Sequence, residues 1–241
     1  MTRIAVLSDI HGNLPALKAV VADAGMRGCD LFVNLGDILS GPLWPRETAD
    51  FLMKQGWPTI AGNHERQLLT DPPERIGASD AFAKAQCGQH HLQWLAALPA
   101  EMEIPGAWCT HARPGNDHEY WLESVDQDGA REATMAEIEG RLAGRAELLI
   151  LHGHSHIQRE VRLPSGQRIA NPGSVGLPAY DDVGPFPHVM ESGDPAARYL
   201  ILEDGDIRMC AVDYDHEIAA RQAERNNRPD WARALRTGRV S

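Results

Sequence analysis

The chain of 241 residues is long enough to bury a sizeable core, as one large domain or two small ones. Its 43% hydrophobic and 24% charged residues are ordinary for a globular protein, and the absence of any apolar run of spanning length excludes an integral helical membrane protein. A formal net charge of −11 disfavours nucleic acid and anionic membranes as partners, and four scattered cysteines argue against a disulfide framework and favour the cytoplasm.

Strands and helices alternate in the first part of the chain. Residues 3–7 predict a strand, Asn13 is placed to cap a helix, and residues 31–35 predict a second buried strand. A helix is expected over 47–55, and residues 58–60 predict a third strand end. This alternation indicates an α/β fold with a mainly parallel sheet, in which ligands bind beyond the carboxyl ends of the strands.

The second part of the chain mixes helical and strand patterns with polar segments. The expected order is a helical region over 78–98, a strand over 107–110, an irregular segment over 114–130, a helix over 131–144, strands over 148–151 and 167–170, and a hairpin over 199–212. The hairpin indicates antiparallel strands and suggests a second sheet. Residues 178–195 predict a long loop that is either mobile or a functional cover, and residues of about 228–238 predict a basic amphipathic helix.

Five short polar motifs follow the predicted strands. They are Asp9-Ile10-His11, Gly36-Asp37, Gly62-Asn63-His64-Glu65, His111 after Thr110, and Gly153-His154-Ser155-His156. They offer carboxylate, amide and imidazole ligands of the kind that first-row divalent metals bind. Residues two apart at a strand end point to the same side, so Asp9 and His11 can hold one cation together. Each motif alone is weak, because histidines are more often structural or exposed, but the ordered set predicts a shared metal site.

With these motifs the chain resembles the calcineurin-like metallophosphoesterases, and segments 9–13 and 171–176 are similar to their small bacterial members. The resemblance implies a four-layer α/β/β/α sandwich of two mixed sheets, formed by a single domain over 1–241, with two metal ions at the strand ends. It implies that Asp9, His11 and His156 hold the first ion, that Asn63, His111 and His154 hold the second, and that Asp37 bridges both. Manganese is expected first, and iron, zinc, cobalt or nickel also suit such a shell.

The expected activity is hydrolysis of a small soluble phosphodiester or phosphomonoester. A water between two cations loses its proton near neutral pH, so a bridging hydroxide is expected to attack phosphorus in line. His64 resembles the family's general acid, a role that suits an imidazole because its ordinary pKa of about 6.5 lies near working pH. Glu65 is expected either to orient His64 or to face solvent at a helix N-terminus. No membrane partner is expected, and the oligomeric state is left open.

Residues outside the motifs are expected to have mainly structural roles. Asn13 is interpreted as a helix cap rather than a phosphate contact, and Asn171 and Ser174 either orient the ligand histidines or form a plain turn. Among the remaining histidines, His152 is expected to be buried without binding metal. His118 and His188 lie in the long loops and could touch substrate. Three others are expected at the surface, namely His90, His91 and His216.

Three alternative functions belong to different classes. A Ser/Thr-type protein phosphatase would need phosphate-clamping arginines near the second and third motifs, and the chain has none there, which leaves Arg113 as the candidate substitute. A non-catalytic protein-binding scaffold of the same fold would tend to lose His64 or part of the ligand set, and this chain keeps all of them. A single structural zinc site usually takes cysteine ligands, and the cysteines here are in the wrong places.

Overall fold

The computed structural model describes residues 2–241, and within that range the chain forms eight α-helices and thirteen β-strands. The helices are α1 (Leu14–Met26), α2 (Pro45–Gln55), α3 (Asn63–Thr70), α4 (Ala78–Gln86), α5 (Gln89–Ala96), α6 (Met135–Gly140), α7 (His216–Arg225) and α8 (Pro229–Thr237). The strands are β1 (Arg3–Leu7), β2 (Leu31–Asn34), β3 (Glu101–Ile104), β4 (Ala107–Thr110), β5 (Glu123–Asp126), β6 (Gly129–Glu132), β7 (Leu149–Leu151), β8 (Arg159–Arg162), β9 (Arg168–Asn171), β10 (Ala179–Asp182), β11 (His188–Glu191), β12 (Ala197–Glu203) and β13 (Asp206–Val212).

Two mixed sheets form the centre of the fold. In the first sheet the strand order is β13-β12-β1-β2, with β1 parallel to β2 and antiparallel to β12. In the second sheet the order is β3-β4-β7-β9-β8, with β4, β7 and β9 parallel and both edge strands antiparallel. The parallel strands carry the metal-site motifs at their carboxyl ends.

Alternation along the strands builds the layers. On β1, Ala5 and Leu7 pack into a core with α1 and α2, whereas Ile4 and Val6 pack into a second core between the two sheets. On β7, the side chain of Ile150 joins a third core with Trp121 and α6 on the far face of the second sheet. Because successive strand residues face opposite sides, these cores give helix, sheet, sheet and helix layers, and the predicted four-layer sandwich is confirmed.

Local signals in the sequence explain several helix boundaries. The Asn13 side chain accepts a hydrogen bond from the Ala16 amide at 3.2 Å, so the predicted cap of α1 is confirmed. Helix α8 begins at Pro229 and ends before Gly238, which adopts a left-handed φ of 65°, and it matches the helix predicted over about 228–238. Its Arg236 pairs with Glu217 and Glu224, so the predicted basic face is partly neutralised within the protein.

Two details of the strand prediction were wrong. The second sheet suggested for the second half of the chain exists, but the predicted hairpin over 199–212 lies in the first sheet because β12 pairs with β1. Residues 58–60 make only one parallel bridge, between Asn34 and Thr59, and do not form a strand. The sequence pattern predicted β12 and β13 but not the pairing of β12 with β1.

Several segment boundaries also differ from the sequence expectation. The helical region over 78–98 is broken into α4 and α5 at residues 87–88. The irregular segment and the helix expected over 114–144 instead contain the β5–β6 hairpin, and α6 begins only at Met135. Residues 178–195, expected as a long loop, contain the β10–β11 hairpin. Among the described residues, none of the helices combines the length and apolar character needed to cross a membrane.

Candidate metal centre

The strand-end motifs converge at one edge of the two sheets. Loops after β1, β2, β4 and β7 carry Asp9, Asp37, His111 and His154, respectively. The candidate ligands form two groups, and within each group the ligand atoms lie within 4.8 Å of one another. The first group contains Asp9, His11 and His156, and the second contains Asp37, His111 and His154. The seventh predicted residue, Asn63, places its Oδ1 3.1 Å from His111 Nε2. These distances show that the structure brings together all seven predicted ligands, and all seven side chains are buried.

Each of the four candidate histidines directs one ring nitrogen at a backbone carbonyl. Nδ1 of His11, His111 and His156 lies 2.7 Å from the oxygens of Ser40, Leu35 and Leu177, and Nε2 of His154 lies 2.8 Å from that of His118. A carbonyl oxygen only accepts, so the nitrogen facing it carries the proton. The other nitrogen of each ring is left with a lone pair turned toward the cluster, which is how a metal-binding histidine is oriented.

The donor set fits divalent cations because acceptor atoms face one another. His11 Nε2 lies 3.0 Å from His156 Nε2, and both nitrogens are the lone-pair side of their rings. His111 Nε2 lies 3.1 Å from Asp37 Oδ2 and 3.1 Å from Asn63 Oδ1. Lone pairs at these distances repel each other unless a proton or a cation lies between them. Mixed carboxylate, amide and imidazole ligands are suited to first-row divalent metals.

Electrostatics differ between the two groups of ligands. Burial and the neighbouring His156 lower the pKa of His11 to about 3, and burial also lowers the pKa of His154 to about 3, so both rings are neutral at working pH. Burial alone would lower the pKa of His111, but the Asp37 carboxylate raises it to about 10. The second group therefore attracts positive charge strongly, and a divalent cation would take the place of that proton.

Backbone strain is concentrated in the same loops. Eight non-glycine residues in the described range have positive φ, and five of them are candidate ligands, namely Asp9, His11, Asp37, His154 and His156, with φ between 50° and 71°. This left-handed region is uncommon for residues with a side chain and persists where surrounding contacts hold it. Here Asp9 N donates to Gly36 O and His11 N donates to Asp37 O, both at 3.0 Å, so the first two loops fix each other.

Glu65 fixes two of these loops from beneath. Its carboxylate is buried and accepts the backbone N–H groups of Asp37, Ile38 and Gly62, each at 2.8 Å. Neither role expected from the sequence is correct, because Glu65 does not contact His64 in this network and does not face solvent. It ties the loop after β2 to the start of α3, and it thereby positions both Asp37 and Asn63.

Two glycines allow the loops to approach each other closely. A Cβ at Gly62 would overlap Asp37 Oδ1, and a Cβ at Gly153 would overlap Ser8 Oγ. Any larger residue at either position would push a ligand loop out of place. The glycines in the third and fifth motifs are therefore part of the geometry of the candidate site.

His64 has a partner that the motifs did not reveal. Its Nδ1 lies 3.0 and 3.2 Å from the two carboxylate oxygens of Asp80, in the first turn of α4. Burial lowers the pKa of His64, but the carboxylates of Asp37 and Asp80 raise it to about 9. Bound cations would oppose that increase. The contact leaves Nε2 of His64, on the opposite side of the ring, for a ligand. An acidic residue in a first helical turn is common, so Asp80 gave no signal in the sequence.

The other polar candidates hold backbone rather than ligand rings. Asn171 Nδ2 donates to Gly153 O at 2.7 Å and to Ser155 Oγ at 3.1 Å, and Ser174 Oγ donates to Asp9 O at 2.8 Å. These bonds support the first and fifth motif loops. Neither residue forms one of these bonds to a histidine ring, as the sequence had suggested. Both instead bind backbone or side-chain atoms of the loops that carry candidate ligands.

The remaining histidines are distributed less simply than expected. His152 is buried and lies outside both ligand groups, and His118 lines the cavity in front of the site. His188 is buried and lies 3.0 Å from the hydroxyl of Tyr120. The expectation of a surface position was wrong for His91, which is buried because it caps α5 through Gly88 and contacts Asp50.

Arg113 does not point a free guanidinium at the site. Its Nε donates to Glu119 at 2.6 Å, and Arg113 is not among the described residues that line the cavity of about 400 Å³ in front of the ligand groups. That cavity is lined by His11, Asp37, Asn63, His64, His154 and His156 and by residues from the C-terminal part of the chain. The candidate site is thus an open, ligand-sized pocket and not a closed structural site.

Comparison with known proteins identifies the class. The family model described as calcineurin-like phosphoesterase matches residues 2–173. The chain belongs to this family, and it is a metal-dependent phosphoesterase.

Individual relatives match over nearly the whole length. An uncharacterised protein of Methanocaldococcus jannaschii is 28% identical over 253 residues, which cover 95% of this chain and 94% of the relative. A metallophosphoesterase from Sphaerobacter thermophilus has a similar structure, with a TM-score of 0.76, 24% identity and coverage of 97% of this chain and 98% of that chain. A hypothetical protein from Pyrococcus horikoshii superposes with a TM-score of 0.76 at 16% identity, covering 100% of both chains. At these identities the two structures establish the fold.

Proposed function

We propose that this chain hydrolyses the phosphoester bond of a small phosphodiester or phosphomonoester. Two divalent cations would be held by Asp9, His11, Asp37, Asn63, His111, His154 and His156, with Asp37 shared between them. The observation that carries the proposal is the pair of acceptor clusters in which lone pairs face each other at 3.0–3.1 Å. Manganese is proposed as the physiological metal and the cytoplasm as the location.

The chain's own groups would divide the chemistry between them. When bound, a pair of divalent cations would polarise the phosphoryl oxygens and lower the pKa of an attacking water. The four carbonyl contacts keep the ligand rings in one tautomer, and Glu65 keeps the strained Asp37 loop in place. Asp80 accepts a hydrogen bond from Nδ1 of His64 and stabilises the doubly protonated ring, whose Nε2–H would donate a proton to the departing alkoxide oxygen.

The geometry favours a general phosphoesterase over the two other functions with this fold. A protein phosphatase was expected to use Arg113, but that guanidinium is already paired with Glu119. A protein-binding scaffold has no need of a histidine that is oriented by a buried carboxylate, as His64 is by Asp80. Both observations support a small-molecule substrate for this pocket.

The direct test is hydrolysis of p-nitrophenyl phosphate and bis(p-nitrophenyl) phosphate by purified protein with added manganese. We expect turnover of one or both esters that disappears with chelator and returns with metal. Asp37→Asn should abolish it, whereas Asp128→Asn, at an exposed position of the β5–β6 turn, should retain it. If the wild-type protein with manganese shows no turnover above that of Asp37→Asn, the proposed function is wrong.

A further inference from the structure

We infer that the cavity beside the metal centre binds an uncharged ring of the substrate, so that the preferred phosphoester carries an aromatic or similar apolar group and no second phosphate. This inference rests on the proposed function and names its substrate class. It concerns the part of the cavity that is built by residues after 173, beyond the match to the family model.

Apolar side chains line part of the cavity beside the ligand motifs, and we call them the apolar wall. They are Leu177, Ala179, Trp231, Ala234 and Val240, which come from the approach to β10, from α8 and from the C-terminal residues. All but Val240 are largely buried, because they also pack into a core with α7. Trp231 lies next to the ligand groups, with its ring centroid 5.9 Å from that of His11. A substrate whose phosphate lies at the metal ligands would therefore place its adjoining organic group against this wall.

The cavity has room for such a group. Its volume of about 400 Å³ lies within the range of roughly 300–1,000 Å³ that is usual for small-molecule sites. Two of the five apolar wall residues, Ala179 and Ala234, have short side chains. Apolar walls of this kind bind rings because removing ring carbons from water is favourable.

The charges of the lining disfavour a second phosphate. Arg228 is the one Lys or Arg among the described residues that line the cavity, and its Nη2 is already paired with Asp230 at 2.6 Å. The carboxylates of Asp181, Asp182 and Asp230 belong to the same lining. A substrate with further phosphates would bring negative charge toward three carboxylates and one neutralised guanidinium, which costs free energy.

The apolar wall is held in place before any ligand arrives. Gly193 N donates to Gly238 O at 3.0 Å, and Val240 N donates to Glu191 Oε1 at 2.7 Å, so the residues after α8 are bonded to the end of β11 and to the segment that follows it. Arg228 Nη1 donates to Ser79 Oγ at 2.9 Å and joins the start of α8 to α4, next to the partner of His64. A preformed wall can select a substrate without a large cost of ordering.

The test compares esters that share a primary alkoxide leaving group. Ethyl phosphate, 2-phenylethyl phosphate and ethylene glycol bisphosphate, or their methyl diesters, are given to the manganese-loaded protein, and phosphorus NMR measures kcat/KM. We expect kcat/KM to be at least about tenfold higher for the phenylethyl ester than for the ethyl ester, as burial of an aromatic ring would give. The bisphosphate should be the poorest of the three.

Substitutions in the apolar wall test whether it causes the preference for an aromatic ester. Ala234→Leu should remove most of the preference for the phenylethyl ester, because the larger side chain occupies the space of the ring. Val240→Phe makes the same test from the partly exposed C-terminal residues, in case the helix variant fails to fold. Arg233→Leu, on the exposed side of α8, is the matched control and should keep the preference.

A binding measurement tests the ring-binding inference separately from the proposed hydrolysis. Phenylphosphonate should bind the manganese-loaded protein at least about tenfold more tightly than methylphosphonate in calorimetry, and Ala234→Leu should reduce this ratio. Equal kcat/KM for the ethyl and phenylethyl esters, with equal affinities for the two phosphonates, would overturn the ring-binding inference but leave the proposed hydrolysis standing. Tighter binding of phenylphosphonate without turnover of any ester would support the subsite and reject the hydrolysis.

Discussion

Replacement of Glu65 by glutamine should destabilise the protein although no ligand is removed. The carboxylate accepts three backbone N–H bonds at 2.8 Å in a buried position. In the variant, one amide oxygen can still accept two of these donors, but each neutral bond is weaker by roughly 1 kcal/mol. The amide NH2 group then faces the third donor, and a buried donor without a partner costs about 1–3 kcal/mol. Glu65→Gln should therefore lower the free energy of unfolding by about 3–5 kcal/mol.

Urea denaturation of metal-free protein, followed by fluorescence and circular dichroism together, measures this change. Glu103→Gln is the matched control, because Glu103 is exposed on β3, and it should change the free energy of unfolding by less than about 0.5 kcal/mol. Metal titration should also show weaker binding for Glu65→Gln, because the Asp37 loop loses its support. A midpoint urea concentration for Glu65→Gln equal to that of the wild-type protein would refute the role assigned to this carboxylate.

Three further outcomes follow from the same geometry. His64→Ala should lower kcat by about 10²–10⁴-fold for alkyl esters, and much less for p-nitrophenyl esters whose leaving group needs no proton, with an unchanged metal content; equal losses for both esters would argue against proton donation. Asp80→Asn should reproduce this dependence on the leaving group in weaker form, measured on the same ester pair, and a variant indistinguishable from wild type would remove Asp80 from the mechanism. Chelation of the metal should lower the free energy of unfolding, by about 2.7 kcal/mol relative to protein with free metal at 100 times its dissociation constant, and identical urea curves with and without metal would contradict a metal-stabilised native state.

The convergence of the motif residues could be predicted because it depends on local pattern. A strand followed by Asp9 or Asp37 is visible in the sequence, and the carboxyl ends of parallel strands necessarily lie at one edge of a sheet. The same holds for Asn13, whose capping role needs only the next three residues. The two mixed sheets and their layers came from the family resemblance and are confirmed by the pairing of β1 with β2 and β12.

The supporting contacts could not be predicted because they join residues with no spacing rule between them. Asp80 reaches His64 from a separate helix, and Glu65 turns away from its neighbour His64 to bind the backbone of Asp37 and Ile38. The partner of the β12–β13 hairpin is β1, nearly two hundred residues earlier, and nothing in the composition of the hairpin specifies that pairing. The hairpin within 178–195 was missed because its Pro, Gly and Asp content resembles that of a loop.

The most direct measurement of the central claim is a crystal structure of the protein grown with manganese, with ions located by anomalous scattering. The account predicts two ions per chain, the first in contact with Asp9, His11 and His156, the second with Asn63, His111 and His154, and Asp37 touching both. The ring nitrogens that face carbonyls in the present structure should stay turned away from the ions. A single ion, or ions bound by other residues while these seven side chains stay unliganded, would contradict it.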